Sequence, residues 1–236
     1  MAASLPLFPL NVPLVPGLVL PLHVFEPRYR QLVSDLLAVP DEDAREFGIV
    51  GIRDGRSLER DGMNALFPVG VSTILRQVEP LDDGRFDIVT TGSRRFRVVS
   101  IDTSTPLVRA EVDFLDEVTS PADEPLAASV AQAFRAYRIV LGGQVDEAAD
   151  DDGLSGSDDS TGGGEEDLPD DPTVMSFLVT AAMVLPPAER QSLLAADTVA
   201  QRLRLAMTLL RRECAVIATL SAMPSLEPLG PLPSPN

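Results

Sequence analysis

The chain is predicted to be α+β: a β-rich N-terminal half that closes into a small barrel with one short helix, followed by a helical bundle. Three observations predict this. Up to residue 117, short apolar runs alternate with turn residues, the pattern of many short strands in a sandwich or barrel. From residue 118 onward, apolar residues recur every three or four positions, a helix period. Between the helical stretches lies a segment too acidic and too rich in Gly and Ser to bury a core.

The opening stretch frames the β half. Residues 5–10 and 18–25 are apolar runs separated by Pro13, Pro16 and Gly17. Proline has no N–H for a ladder, so both runs are expected at an edge or an end of the sheet, or bulged. The second run stops at Phe25-Glu26-Pro27, and proline suits the first position of a helix. Tyr29, Leu32, Val33, Leu36 and Leu37 then share one helical face. A polar turn over residues 40–45 leads to a buried strand at 47–52. A charged loop over 53–64 follows, then a long strand at 66–78, bent at Pro68 and Gly70. Leu81-Asp82-Asp83-Gly84 is a hairpin turn, since Asp-Gly tolerates positive φ. Residues 86–91 and 96–101 are expected as two strands joined by Gly92-Ser93-Arg94-Arg95. Residues 107–115 alternate apolar and polar as the last strand. Residues 1–117 are thus assigned to an antiparallel barrel, closed or nearly so.

In the second half, Leu126, Val130, Phe134, Tyr137 and Leu141 form a helical stripe. Gly142-Gly143 is expected to end that helix, so residues 118–145 make the first member of the bundle. Residues 146–171 hold 12 acidic residues and no basic one, and are expected to be a disordered insert. Residues 172–223 complete the bundle. One helix starts at Asp171-Pro172 and a second follows Pro186-Pro187. The third, capped by Asp197, has the stripe Val199, Leu203, Ala206, Leu210, Ile217. Residues 224–236 read as a Pro-rich, unstructured tail.

Charge and composition exclude several functions. The net charge is −17, from 36 acidic and 19 basic residues, and the insert carries −12 of it. That balance argues against nucleic acid, which needs a basic footprint. All basic residues are arginine. Without lysine there is neither a P-loop nor a Ser–Lys catalytic pair. The one cysteine, Cys214, allows no internal disulfide framework and fits a reducing compartment, so a cytoplasmic setting is expected. No apolar run reaches membrane-spanning length, and the N-terminus lacks the basic start of a secretory signal.

The chemically tempting residues read mostly as structural. His23, the single histidine, lies in an apolar strand with no G-x-S-x-G elbow elsewhere in the folded part. Cys214 reads as a buried, inert thiol. Gly48, Gly51 and Gly55 make a poor phosphate cradle, and the acids of the insert do not follow a calcium-loop spacing. No catalytic residue, metal site or cofactor is expected. Arg94-Arg95 reads as a solvent-exposed pair or as a contact for acidic segments. Glu26 reads as a helix cap and Tyr29 as packed on the barrel; the functional alternative is that Phe25 and its neighbours rim a peptide groove.

Three separated stretches carry a family resemblance. The first is the apolar run 5–10 with Pro16-Gly17, Pro21-Leu22 and Phe25-Glu26-x-Arg28-Tyr29. The second is the hairpin over 70–92 followed by Arg94-Arg95-Phe96. The third is Leu185-Pro186, Arg190-Gln191-x-Leu193-Leu194 and the capped helix after Asp197. Together they resemble the N-terminal substrate-binding domain of Lon proteases, here without the ATPase and protease modules. The resemblance implies a PUA-like barrel before the bundle. It implies a non-catalytic module that binds unfolded or hydrophobic polypeptide segments, as an adaptor or regulator for a separate ATP-dependent protease, with self-association a further expectation. The substrate contacts it suggests are Leu22, Phe25, Glu26, Arg28, Tyr29, Arg94, Arg95 and Phe96. The rival expectations are a small-molecule or metal-dependent enzyme using the barrel mouth, and an oligomerisation module.

Overall fold

A computed structural model describes residues 3–149 and 168–221. It has six strands: β1 (Ala3–Leu10), β2 (Val19–Val24), β3 (Glu46–Gly51), β4 (Val69–Pro80), β5 (Phe86–Asp102) and β6 (Arg109–Phe114). The helices are α1 (Pro27–Leu37), the short α2 (Leu58–Asp61), α3 (Asp123–Ala149), α4 (Pro172–Ala182), α5 (Pro187–Leu194) and α6 (Val199–Ser221).

The strands form one mixed sheet in the order β2-β5-β4-β3-β1-β6, and β5 also pairs with β6. The pairings therefore return from the last strand to β5. They are not all antiparallel as expected, because β1 runs parallel to β3. β2 is an edge strand, paired only with β5, as its proline requires. β1 is interior, against expectation, but its ladders are one-sided. Residues 3–6 pair with β6 and residues 7–10 with β3, so Pro6 and Pro9 each meet one register partner.

Gly92-Ser93-Arg94-Arg95 is not a connection between two strands. It is a bulge inside the 17-residue β5: Val71 pairs with Arg95 and Thr73 with Gly92, leaving two β5 residues opposite Ser72. The Ser72 hydroxyl accepts the Arg94 N–H at 3.2 Å, replacing the lost ladder bond. The β4–β5 hairpin forms where expected, but only Gly84 takes positive φ, at 77°. Its three-residue loop places Leu81 opposite Arg85. The loop after β3 holds α2 and a short 3-10 turn.

α1 lays Tyr29, Leu32, Val33 and Leu36 on the sheet's core, which also takes Phe177 and Leu194 from the helical half. Leu37, expected on that face, is exposed. A second core lies between Leu7, Val50, Phe96 and Val112. A third joins α3, α4 and α6 through Val130, Phe134, Val179, Leu203 and Leu210. α3 continues through Gly142-Gly143 to Ala149, because glycine weakens a helix interior by about 1 kcal/mol without forbidding it. The α6 cap is Thr198, not Asp197: its Oγ1 accepts the Gln201 N–H at 3.1 Å, and Gln201 Oε1 accepts the Asp197 N–H. Cys214 is half-buried rather than buried. The insert expected over 146–171 and the tail expected over 224–236 fall largely or wholly outside the described residues.

Candidate functional site

The site grows from a turn and a helix that face each other. Val15-Pro16-Gly17-Leu18 closes with the Leu18 N–H donating to the Val15 carbonyl at 3.2 Å, and Gly17 has φ +82°. Proline then glycine at the central positions is the type II signature. The turn rests on β5, where Gly17 donates to the Gly92 carbonyl at 2.9 Å and Gly92 to Leu18 at 3.0 Å. A Cβ at residue 92 would lie 2.6 Å from the Val15 oxygen, so the approach needs glycine.

Opposite the turn stands α4. Asp171 caps it, accepting from the N–H groups of Thr173 and Val174 at 2.7 and 3.0 Å, with Pro172 in its first turn. Its sequence, PTVMSFLVTAA, contains no charged residue. Met175, Val179 and Met183 bury one stripe against α3 and α6. Val174, Phe177, Leu178, Ala181 and Ala182 form a second stripe, spaced i, i+3, i+4, i+7, i+8. That stripe and the turn line an open apolar groove of about 520 Å³, within the usual size range of binding sites. Val174 remains 52% exposed and Leu178 37%. A helix with apolar stripes on two faces is normally covered on both. On the far side of Leu178 and Ala182 lies a smaller hollow of about 300 Å³ with Phe134, Tyr137 and Leu141.

The residues suggested from sequence do not form one cluster. Val24 pairs with Phe86, whereas Arg94 lies eight residues further along β5, about 27 Å at strand spacing. Phe25 is 60% exposed where β2 gives way to α1. Leu22 points inward, half-buried against the sheet core. Glu26 occupies the helix-cap position, but its side chain makes no cap bond; it pairs with Arg28 at 2.8 Å. Arg28 lies over the Tyr29 ring, 4.7 Å from its centroid, and Tyr29 is buried and stacked on Phe8 at 4.1 Å. Burial, opposed by the Arg28 charge and aided by that of Glu26, pushes the Tyr29 phenol up to about 12.

Arg94 and Arg95 part company. Arg94 is exposed and covers the Phe114 ring at 3.8 Å. Arg95, expected at the surface, is 2% exposed, and Phe96 is fully buried. Successive side chains of a strand point to opposite faces, so Arg95 turns in to Glu117 while Arg94 stays outside. Neither Arg95 nor Phe96 faces a surface ligand. The apolar stripe of α4 is what sequence reasoning missed. Its signal was present: eleven residues without a charge, apolar at two sets of helical positions.

Residues 4–212 fit the family model described as the ATP-dependent protease La (LON) substrate-binding domain. The chain belongs to the Lon substrate-binding domain family. It is 35% identical over 144 residues to Lon protease 2 of Sorangium cellulosum, a match covering 60% of this chain and 17% of that protein. It is 31% identical over 132 residues to Lon protease 2 of Syntrophobacter fumaroxidans, covering 54% and 16%. The matched region thus spans about a sixth of each relative. Solved structures share the fold. The Lon N-terminal domain protein from Xanthomonas campestris gives a TM-score of 0.57 at 24% identity, covering 94% of this chain and 99% of that one. The N-terminal domain of the Mycobacterium avium complex Lon protease gives 0.60 at 18%, covering 89% and 98%.

The Lon-family match runs across the junction of sheet and helices, where charge is buried. Glu117, in the segment after β6, accepts from Arg95 Nε at 2.5 Å and from Arg202 Nη2 at 2.9 Å. Arg95 Nη1 also donates to the carbonyls of Leu194 and Ala196, both at 2.7 Å. Burial first, and Arg95 second, pull Arg202 down to about 10, so it stays charged at neutral pH. Elsewhere, His23 Nδ1 lies 2.6 Å from Asp87 and its Nε2 3.0 Å from Arg85 Nη1. These contacts on the β2–β5 surface join His23 to Asp87 and Arg85, with no Ser, Thr or Cys side chain among them. Among the described residues no group of His, Cys, Asp or Glu is placed to hold a metal ion, and no helix is long and apolar enough to cross a membrane.

Proposed function

We propose that this Lon-family chain is a non-catalytic module that binds apolar segments of unfolded polypeptides and serves a separate ATP-dependent protease as an adaptor or regulator. The observation that carries the reading is the uncharged α4, whose second apolar stripe lies open beside the turn over residues 15–18. An apolar side chain of a client would remove Val174 and Leu178 from water, at about 25 cal/mol per Å² buried.

The edge strand supports a longer footprint. β2 leaves the groove at Val19 and ends beside Phe25, and its outward residues are Val19, Pro21, His23 and Phe25. An extended client segment adds alongside such an edge by backbone pairing. In this reading Phe25 marks the far end of the footprint, with Leu22 anchoring β2 from the inner face and Glu26, Arg28 and Tyr29 holding that corner in shape. The strand pairings that return from β6 to β5 support reading the sheet as the small PUA-like barrel of the family. A cytoplasmic setting suits a chain with one half-buried cysteine.

The test is fluorescence anisotropy with a labelled, permanently unfolded polypeptide and its folded parent. Binding of the unfolded form alone, at micromolar concentration, is the expected result. Equal binding of both forms, or of neither, would remove the proposal. Light scattering at the same concentrations separates client binding from self-association through the same apolar stripe.

A further inference from the structure

We propose that Arg202 is a positioning residue for the groove, acting through Phe177; this rests on the groove reading above. The ring of Phe177 is part of the groove's lining and also of the sheet's core. The Arg202 guanidinium lies over one face of it, its Cζ 4.0 Å from the ring centroid. Three further contacts fix that guanidinium. Nη1 donates to Ser176 Oγ at 3.0 Å, Nη2 to Glu117 at 2.9 Å and Nε to the Leu193 carbonyl at 3.2 Å, while the side chain is fully buried. Ser176 and Phe177 are adjacent on α4, so one planar group grips the helix at two consecutive residues. Glu117 in turn is held by Arg95 from β5, the strand on which the opposite groove wall rests through Gly92. The two walls are therefore referenced to each other through Arg95, Glu117, Arg202 and Phe177.

Stability alone does not account for this arrangement. Two buried guanidiniums share one carboxylate, and apolar residues of similar volume commonly stabilise such sites as well or better. Arg95 and Glu117 by themselves would form a balanced pair. Arg202 is the surplus charge, and its distinctive contacts are those to α4.

The test uses Arg202→Met in the full chain, which keeps the volume and leaves the Arg95–Glu117 pair neutral. Three readouts are compared with the wild type: thermal unfolding, the fluorine resonance of Phe177 in 4-fluorophenylalanine-labelled protein, and affinity for a labelled peptide of Leu, Val and Phe. The Phe177 signal is assigned with Phe177→Leu. The expected result is near-native unfolding, a displaced Phe177 resonance, and peptide affinity about tenfold weaker, the scale of a desolvated cation–π contact. A native Phe177 resonance with native affinity overturns the proposal. So does a loss of affinity that tracks a loss of stability while the resonance stays in place. If Arg202→Met does not fold, Arg202→Lys, which keeps a charge facing Glu117 but loses the guanidinium contact with the ring, is read the same way. If wild-type protein binds no peptide, the groove reading fails, whereas the ligand-free fluorine shift still decides whether Arg202 sets the ring.

Discussion

Arg95 Nε donates to Glu117 Oε1 at 2.5 Å, from a strand of the sheet to the segment that leads into the helices. The same carboxylate takes Arg202 from α6 at 2.9 Å. One glutamate thereby joins β5 to the bundle. Its side chain keeps 25% exposure, while both arginines have almost none.

Glu117→Gln should be strongly destabilising. It removes the negative charge facing two buried guanidiniums, and breaking a buried pair costs about 3–5 kcal/mol. Urea unfolding followed by circular dichroism measures the loss. A change near 1 kcal/mol would mean that water or another group compensates the guanidiniums.

Leu178→Asp should leave stability close to native, because this side chain is already 37% exposed. It places a charge in the groove that a client's apolar side chain must cover. Affinity for an unfolded polypeptide should fall about tenfold or more, since burying an unpaired charge costs well over 1.4 kcal/mol. Anisotropy titration checks this; unchanged affinity would move the site elsewhere.

Gly92→Ala should push the turn over residues 15–18 off β5, because its Cβ would come within 2.6 Å of the Val15 oxygen. The expected cost is about 1–3 kcal/mol, the scale of overpacking. Binding should weaken as well, since the displaced turn is a groove wall. Loss of stability with full binding would separate the turn from the site.

Tyr29 predicts an alkaline limit. Its folded-state pKa lies near 12, above the ordinary value of 10. The neutral phenol is favoured in the folded state, so this contribution is fully present below pH 10. It is lost as pH rises from 10 towards 12. The chain has two tyrosines. Absorbance titration of Tyr29→Phe should lack the step near pH 12, and the variant's stability should fall less over that interval. An unchanged titration would assign the step to Tyr137.

The acids of residues 146–171 set a charge preference in clients if clients pass near them. Replacing those 12 residues with Ser and Asn should raise affinity for peptides with acidic flanks. The gain should shrink as salt is added, because exposed charges are screened. Equal affinities at low salt would show that the segment plays no part in selection.

Local chemistry was readable wherever the deciding neighbours are close in the chain. Pro16-Gly17 specifies the turn, Asp171-Pro172 starts α4, and the 3.6-residue stripes place the faces of α1, α3 and α6. These follow from backbone restrictions and periodicity, which need no knowledge of distant residues. The family resemblance was readable for the same reason, as ordered short motifs over residues 4–212. Tertiary structure decided the rest. The bulge at Arg94 depends on β4 supplying Ser72, and the burial of Arg95 depends on helices about a hundred residues further along the chain. An arginine pair in a strand reads as exposed until a carboxylate and helix-end carbonyls arrive to satisfy it. The groove likewise belongs to neither α4 nor the turn alone. It exists because the fold sets an uncharged helix opposite a glycine-backed loop and leaves the gap open to solvent.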